Sequence, residues 1–505
     1  MIDGVEHHRV VVVGSGFSGL GVAIGLRRRG FEDFVVLERA GDIGGTWRDN
    51  TYPGCACDVP SRLYSYSFAP NPEWSESFSP QPEIRAYLRR CAERFGVLPH
   101  VRLGQEVTSL EWDDDAAHWH VRTPTTAMTA DVVVAGVGAL SEPSVPALPG
   151  LERFEGTVFH SATWDHEHDL RGRRVAVVGT GASAIQFVPQ IQPLVERLTL
   201  FQRTPPWVLP RRNRRYGRLE RLCYRRLPFL QYLARAAIYL GHETFVLGFT
   251  RSRGLMRLGR RAAVAHLRRQ VPDPALREKL TPDYVLGCKR VLLSDDYYPS
   301  LTQSNVEVVT AGIGEVTAGG VVTADGVEHE VDTIIFGTGF HVTDFPAARR
   351  IRGRHGRVLA DAWRQGVEAY LGTTVAGFPN LFLMTGPNTG LGHSSMVYMI
   401  ESQTAYVLDA IGQMERRGAA VVEVRPEVQA RFNAELAGRS EGTVWTGGGC
   451  RSWYLDERGR NTTLWPGFTF EFRRRTRRFD TESYELRPPV PAGAPPREVV
   501  AVPAG

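Results

Sequence analysis

Two turns, one carrying Gly14, Gly16 and Gly19 and the other Gly179, Gly181 and Ala184, share the spacing G-x-G-x-x-G/A within one chain of 505 residues. Small residues so spaced let backbone N–H groups close on a pyrophosphate at the start of a helix, and the third lets that helix pack on the preceding strand. The first turn follows the β-branched run Arg9 to Val13 and opens a helical pattern reaching Arg29. A second apolar run, Phe34 to Leu37, then ends in Glu38, where a carboxylate accepts hydrogen bonds from a ribose diol. Glycines alone often mark mere turns. Strand, turn, helix, strand and terminal acid in that order specify a dinucleotide site.

The second turn follows the run Arg173 to Val178 and precedes a helical stretch through Gln192 and a strand Leu198 to Phe201. Here Gln202, Arg203 and Thr204 replace the acid. A guanidinium suits a 2′-phosphate and no carboxylate repels it, so the second nucleotide is expected to be NADPH rather than NADH. Between the two turns lie Phe154, Gly156, His160, Trp164 and Asp165, and after them the basic pair Lys289 and Arg290.

Positioning these residues requires more than one core, since a chain of this length is expected to form two or three domains. Two further apolar runs, Asp131 to Gly138 and Asp332 to Gly339, mark where the chain leaves the first domain and returns to it. The expected fold is α/β, with two Rossmann-like dinucleotide-binding domains, the second inserted into the first. The boundaries are 1–145 and 335–487 for the first domain, 146–334 for the second with a helical insert at about 211–280, and a proline-rich, mobile tail over 488–505. The insert carries Arg211, Arg212, Arg214, Arg215, Arg218, Arg221, Arg225 and Arg226. It reads as a solvated helical cover over the active site, with a membrane surface or acidic partner as the alternative.

Hydrophobic content of 42% and charged content of 23% are those of a globular protein, and a net charge of +5 does not call for nucleic acid. Six scattered cysteines without a CxxC pair fit a reducing cytosol better than a disulfide scaffold. No leader segment is evident at the amino terminus, and a cytoplasmic enzyme is expected. The most apolar window, Leu227 to Phe249, contains Arg235, His242 and Glu243 and reads as a buried or interface helix rather than a membrane span.

With these residues in place the chain resembles the type I Baeyer–Villiger monooxygenases, class B flavoprotein monooxygenases whose signature FxGxxxHxxxW is met by Phe154, Gly156, His160 and Trp164. Asp165 follows where many members have Pro, and Ser161 stands where many have Thr. The resemblance reaches about residue 485. It includes Gly44 to Trp47, Tyr52 to Asp58, Gly287 to Arg290, and Gly386 through Gln403, where Gly390, Gly392 and His393 depart from the usual loop. It implies FAD at Gly14, Gly16, Gly19 and Glu38, and NADPH at Gly179, Gly181, Arg203, Thr204 and Lys289. Phe17, Ser18, Arg39, Gly45, Thr46, Trp47, Asp58, Tyr64, Val107, Thr180, Ala182, Ser183, Gln186 and Met396 complete the two cofactor sites.

The resemblance further implies a reaction: NADPH reduces the flavin, O2 loads it as a C4a-peroxyflavin, and that species attacks a ketone to give an ester or lactone. Arg290 is the expected catalytic cation and Asp58 its orienting carboxylate. His160 and Trp164 are expected at the hinge between domains, away from the substrate. Trp453 and Tyr454 are candidates for a lid over the NADP. A flavin-containing N- or S-oxygenase is the alternative, and a flavin disulfide reductase a remote one, since only Cys55 and Cys57 lie close together and a one-residue spacer strains a disulfide.

Overall fold

The computed structural model describes residues 5–342 and 345–489, with one further side chain, that of Arg253, left out. The proline-rich tail from residue 490 onward lies outside the described residues.

Val10 to Val13 are β-branched on both faces, which only a strand covered on both sides tolerates. The strand Glu6–Val13 accordingly runs in the middle of an eight-stranded sheet, parallel to Phe34–Leu37 on one side and Ala127–Ala135 on the other. Past Ala127–Ala135 the sheet continues antiparallel through His118–Arg122 and Ser109–Asp113. Leu381–Leu383, from the far end of the chain, adds to the same sheet in parallel with Ala127–Ala135. The helix Phe17–Arg28 packs between this sheet and the long helix Met396–Arg417.

A second, five-stranded sheet is parallel throughout, in the order Val306–Val309, Arg197–Phe201, Arg174–Val178, Thr333–Phe336, Thr157–His160. Both glycine-rich turns thus end central parallel strands, at the carboxyl edge where ligands of such sheets bind. The intervening segment forms the helices Arg218–Arg226, Pro228–Thr250, Arg253–Gln270 and Pro274–Lys279. The Pro228–Thr250 helix, expected to be buried or at an interface, turns an apolar face outward within an insert otherwise expected to be solvated.

The cysteine reading is also corrected. Cys288 and Cys450 form a disulfide with Cα atoms 6.2 Å apart, closing a span of 162 residues. Their spacing in sequence carries no sign of this, because the pair is brought together by the fold rather than by a local motif. Cys55, Cys57, Cys91 and Cys223 remain free.

Candidate functional site

The two turns are built alike. Gly14 and Gly179 have φ of +93° and +109°, in the region glycine favours. A Cβ on Gly16 or Gly181 would meet backbone at 3.7 Å, of Gly45 and Gly337 respectively, an ordinary contact, so the protein itself does not crowd the middle residue of either turn. A Cβ on Gly19 would sit 1.8 Å from the Gly14 carbonyl oxygen, so this glycine serves helix-to-strand packing. Ala184 plays that part in the second turn, fully buried against Gly337. Neither following helix, Phe17–Arg28 nor Ala184–Ile191, has a side-chain cap or an acid in its first turn, which leaves its N–H groups available to an anion.

Both turns open into one cavity of about 1570 Å³, larger than a pocket for one small ligand and consistent with two dinucleotides. Of the residues expected to hold cofactors, all but Gly19 line it: Gly14, Gly16, Phe17, Ser18, Glu38, Arg39, Gly45, Thr46, Trp47, Asp58, Tyr64, Val107, Gly179, Thr180, Gly181, Ala182, Ser183, Gln186, Arg203, Thr204, Lys289 and Met396. Gly19 lies beneath the surface for the packing reason just given.

Glu38 is buried at the end of its strand. Its carboxylate accepts from the Ser15 N–H at 3.0 Å, the Ser15 hydroxyl at 2.6 Å and the Ala40 N–H at 3.0 Å, and pairs with Arg48 at 2.9 Å. Burial alone would raise its pKa, but these donors outweigh it and hold the group ionised. Trp47 donates from its indole to the Tyr64 hydroxyl at 2.9 Å, which fixes both rings on the cavity wall.

Elsewhere on the cavity lining, burial lowers the pKa of Lys289 and the neighbouring Arg203 lowers it further, with Asp283 opposing both. Neither residue forms an ion pair with a carboxylate among the described residues. Two neighbouring cations with no carboxylate at ion-pair distance among the described residues are what a 2′-phosphate would neutralise.

Gln186 lines the cavity, but its side chain is committed elsewhere. Its amide oxygen accepts from the Tyr52 hydroxyl at 3.0 Å and the Ala56 N–H at 3.2 Å, while its nitrogen donates to the Ala56 carbonyl at 3.0 Å. A Cβ on Gly54 would lie 2.7 Å from the Gln186 carbonyl, so that glycine permits the close approach of the second turn's helix. The Tyr52 to Asp58 segment therefore joins the two nucleotide-binding units as well as bordering a cofactor.

Arg290 and Asp58 meet at the cavity. One carboxylate oxygen, Oδ2 of Asp58, accepts from Nε of Arg290 at 2.8 Å and from Nη2 at 2.6 Å. Asp58 raises the pKa of the guanidinium against the opposing effect of burial, so the cation persists. Tyr454 adjoins the pair: burial pushes its phenol up to about 12, with Asp58 raising and Arg290 lowering it. Sequence reasoning placed Tyr454 only as a lid candidate. The Cys288–Cys450 bridge, two residues from Arg290, brings its segment here, and no spacing rule would have found it. Trp453 lines the cavity beside it.

His160 and Trp164 stand outside the cavity lining. His160 is buried at the end of the edge strand Thr157–His160, its Nδ1 accepting from the Ala162 N–H at 3.0 Å and its ring against Phe340, which does line the cavity. Trp164 packs between Phe159 and Phe187, the latter on the second turn's helix. Gly156 is required by packing, since a Cβ there would fall 2.3 Å from the Asp332 carbonyl and 2.6 Å from the Phe154 ring.

The sequence profile of the family described as flavin-binding monooxygenase-like matches residues 7–236. A Baeyer–Villiger monooxygenase of Streptomyces coelicolor is 54% identical over 96% of this chain and 94% of its own length. One of Pseudomonas aeruginosa is 54% identical over 95% and 92%. Among solved structures, closed cyclohexanone monooxygenase superposes with a TM-score of 0.85 at 30% identity, covering 96% of this chain and 100% of that one. Oxidised steroid monooxygenase bound to NADP gives 0.83 at 32%, covering 95% and 99%.

Proposed function

We infer the division of labour in this site from a firm premise: the chain belongs to the Baeyer–Villiger monooxygenases. It is an FAD-containing, NADPH- and O2-dependent enzyme that converts ketones to esters or lactones. The residues present fit both cofactors, because each turn lines the shared cavity with an uncrowded middle glycine and leaves its helix start uncapped. When bound, the flavin supplies the redox chemistry, taking hydride from the nicotinamide and delivering activated oxygen to the carbonyl carbon.

The protein's part is to bind, orient and balance charge. The Gly14 turn and Glu38 hold the FAD pyrophosphate and ribose. The Gly179 turn holds the pyrophosphate of NADPH, and Arg203 with Lys289 holds its 2′-phosphate. Trp47 and Tyr64, locked to each other, wall the flavin side.

The observation that carries the reading is the Arg290–Asp58 pair on the cavity wall. Oxygen transfer to a ketone builds negative charge first on the attacking oxygen and then on the carbonyl oxygen. A guanidinium that stays protonated offsets it at both positions. Asp58 orients that guanidinium through two bonds to one oxygen. An electrophilic oxygenation of nitrogen or sulfur needs no such cation, which favours ketones over heteroatoms here. Incubation with NADPH and parallel ketone and thioether panels, read by mass for gain of one oxygen, tests this. Ester or lactone products are expected; sulfoxides alone would overturn the reading.

A further inference from the structure

The helix Pro228–Thr250 is inverted relative to an ordinary surface helix. Its three charged or imidazole groups face the protein. Arg235 donates to the carbonyls of Arg62, Leu63 and Ser65, His242 Nδ1 bonds the His393 carbonyl at 2.7 Å, and Glu243 accepts from the Thr469 N–H and hydroxyl. The other face carries Phe229, Leu233, Leu240 and Leu247 at helical spacing, with Tyr232 and Phe245 beside them. All six are exposed, four by more than half. No other charged residue occurs between Pro228 and Thr250, so this outward face has none.

A contiguous apolar face of this size marks an interaction surface, and charge selects the occupant. Residues 211–270 hold sixteen arginines and two glutamates, with no lysine or aspartate. That surplus exceeds the net charge of the whole chain, +5, so the remainder is net acidic. Arg218, Arg226, Arg251, Arg257 and Arg261 are exposed on or beside the two helices packed against Pro228–Thr250, whereas Arg225 is paired with Glu73. A second copy meeting this face would bring those cations against one another. Phosphate headgroups would neutralise them, while acyl chains accept the leucine and phenylalanine side chains.

We propose that the outward face of Pro228–Thr250 docks in the plane of an anionic lipid bilayer, held by the apolar stripe and the arginines flanking it. No described helix is long and apolar enough to cross a membrane, so the attachment is peripheral. The inner face of the same helix contacts the cavity wall: His242 holds the His393 carbonyl next to Ser394, and Tyr239 stacks on Tyr398 two residues beyond Met396. Docking therefore sets a cavity wall near the lipid, where an apolar ketone would concentrate. That last consequence rests on the ketone reading, whereas the docking does not.

The FAD-loaded full chain is tested by co-sedimentation with vesicles of phosphatidylcholine alone and of phosphatidylcholine with phosphatidylglycerol. Binding at least about tenfold stronger to the anionic vesicles is expected, weakening as salt rises from about 0.05 to 0.5 M. The double variant Leu233→Glu/Leu240→Glu, both exposed, should lose that binding while keeping its circular dichroism and NADPH consumption in detergent-free buffer. Three results would overturn the proposal. These are no preference for anionic vesicles, binding unchanged in the double variant, or lipid-free dimerisation of the wild type that the double variant abolishes.

Discussion

Replacing Asp58 separates the two things it does for Arg290, holding it in place and carrying a counter-charge. Because a single oxygen, Oδ2, accepts both bonds from Arg290 at 2.8 and 2.6 Å, an asparagine can put its amide oxygen there and keep the geometry while losing the charge. Two charge-assisted bonds become two bonds with a neutral acceptor, a loss of about 1–2 kcal/mol. Fully expressed in the fraction of enzyme with the guanidinium in position, that is roughly tenfold in ketone oxygenation. Asp58→Ala removes both bonds. Since a quarter of the Asp58 side chain is exposed and water partly compensates, about 2–3 kcal/mol is expected, or roughly 30- to 150-fold. The assay is ester formed per NADPH consumed at saturating ketone, with released hydrogen peroxide and anaerobic FAD reduction measured alongside. FAD content should hold in both variants, and hydrogen peroxide should account for the NADPH that yields no ester. If Asp58→Ala made ester at the wild-type rate or faster, orientation would not be its role and the reasoning would fail.

Arg203→Ala should raise the KM for NADPH about tenfold or more with kcat little changed, and should narrow the preference over NADH; equal effects on both nucleotides would show that Arg203 does not read the 2′-phosphate. His118, His160, His242 and His266 all have pKa values lowered from 6.5 chiefly by burial. Folding favours their neutral forms, so the stability they contribute is complete above about pH 6.5 and is lost as pH falls through the lowered folded values. The melting temperature should decline between pH 7 and 5, and a flat profile would contradict this. Cys450→Ser opens the loop of 162 residues closed by its bridge to Cys288 and should lower stability by about 2–4 kcal/mol, readable as a drop in melting temperature that reducing agent also produces in the wild type but not in the variant.

Legibility in the sequence followed the range of the physics involved. The strand–turn–helix units could be read because their signals are local: Gly14, Gly16, Gly19 and Glu38 each answer a backbone or packing demand within about thirty residues. Arg290 and Asp58, far apart in sequence, were paired only through a family pattern; nothing in the spacing of the chain itself joins them. The Cys288–Cys450 bridge and the placement of Tyr454 beside Arg290 escaped for the same reason. Gln186 was expected at a cofactor, and its tie to Ala56 could not be seen because it depends on how closely two units pack. The outward face of Pro228–Thr250 escaped for another reason. Periodicity gives the helix and its two faces, but not which of them the rest of the protein covers.

The Gln186–Ala56 contact and the Cys288–Cys450 bridge have a joint geometric consequence. Each ties material from the second glycine turn's side of the molecule to material from the first. They are two of several ties along one seam, which the Thr51–His166 bond and the Arg211 donation to the Cys57 carbonyl extend. Asp58 follows Ala56 by two residues and Arg290 follows Cys288 by two, so the carboxylate and the guanidinium each stand next to a tie. The charged pair is thus one stitch of the seam, and loosening either neighbouring tie would loosen its geometry as well.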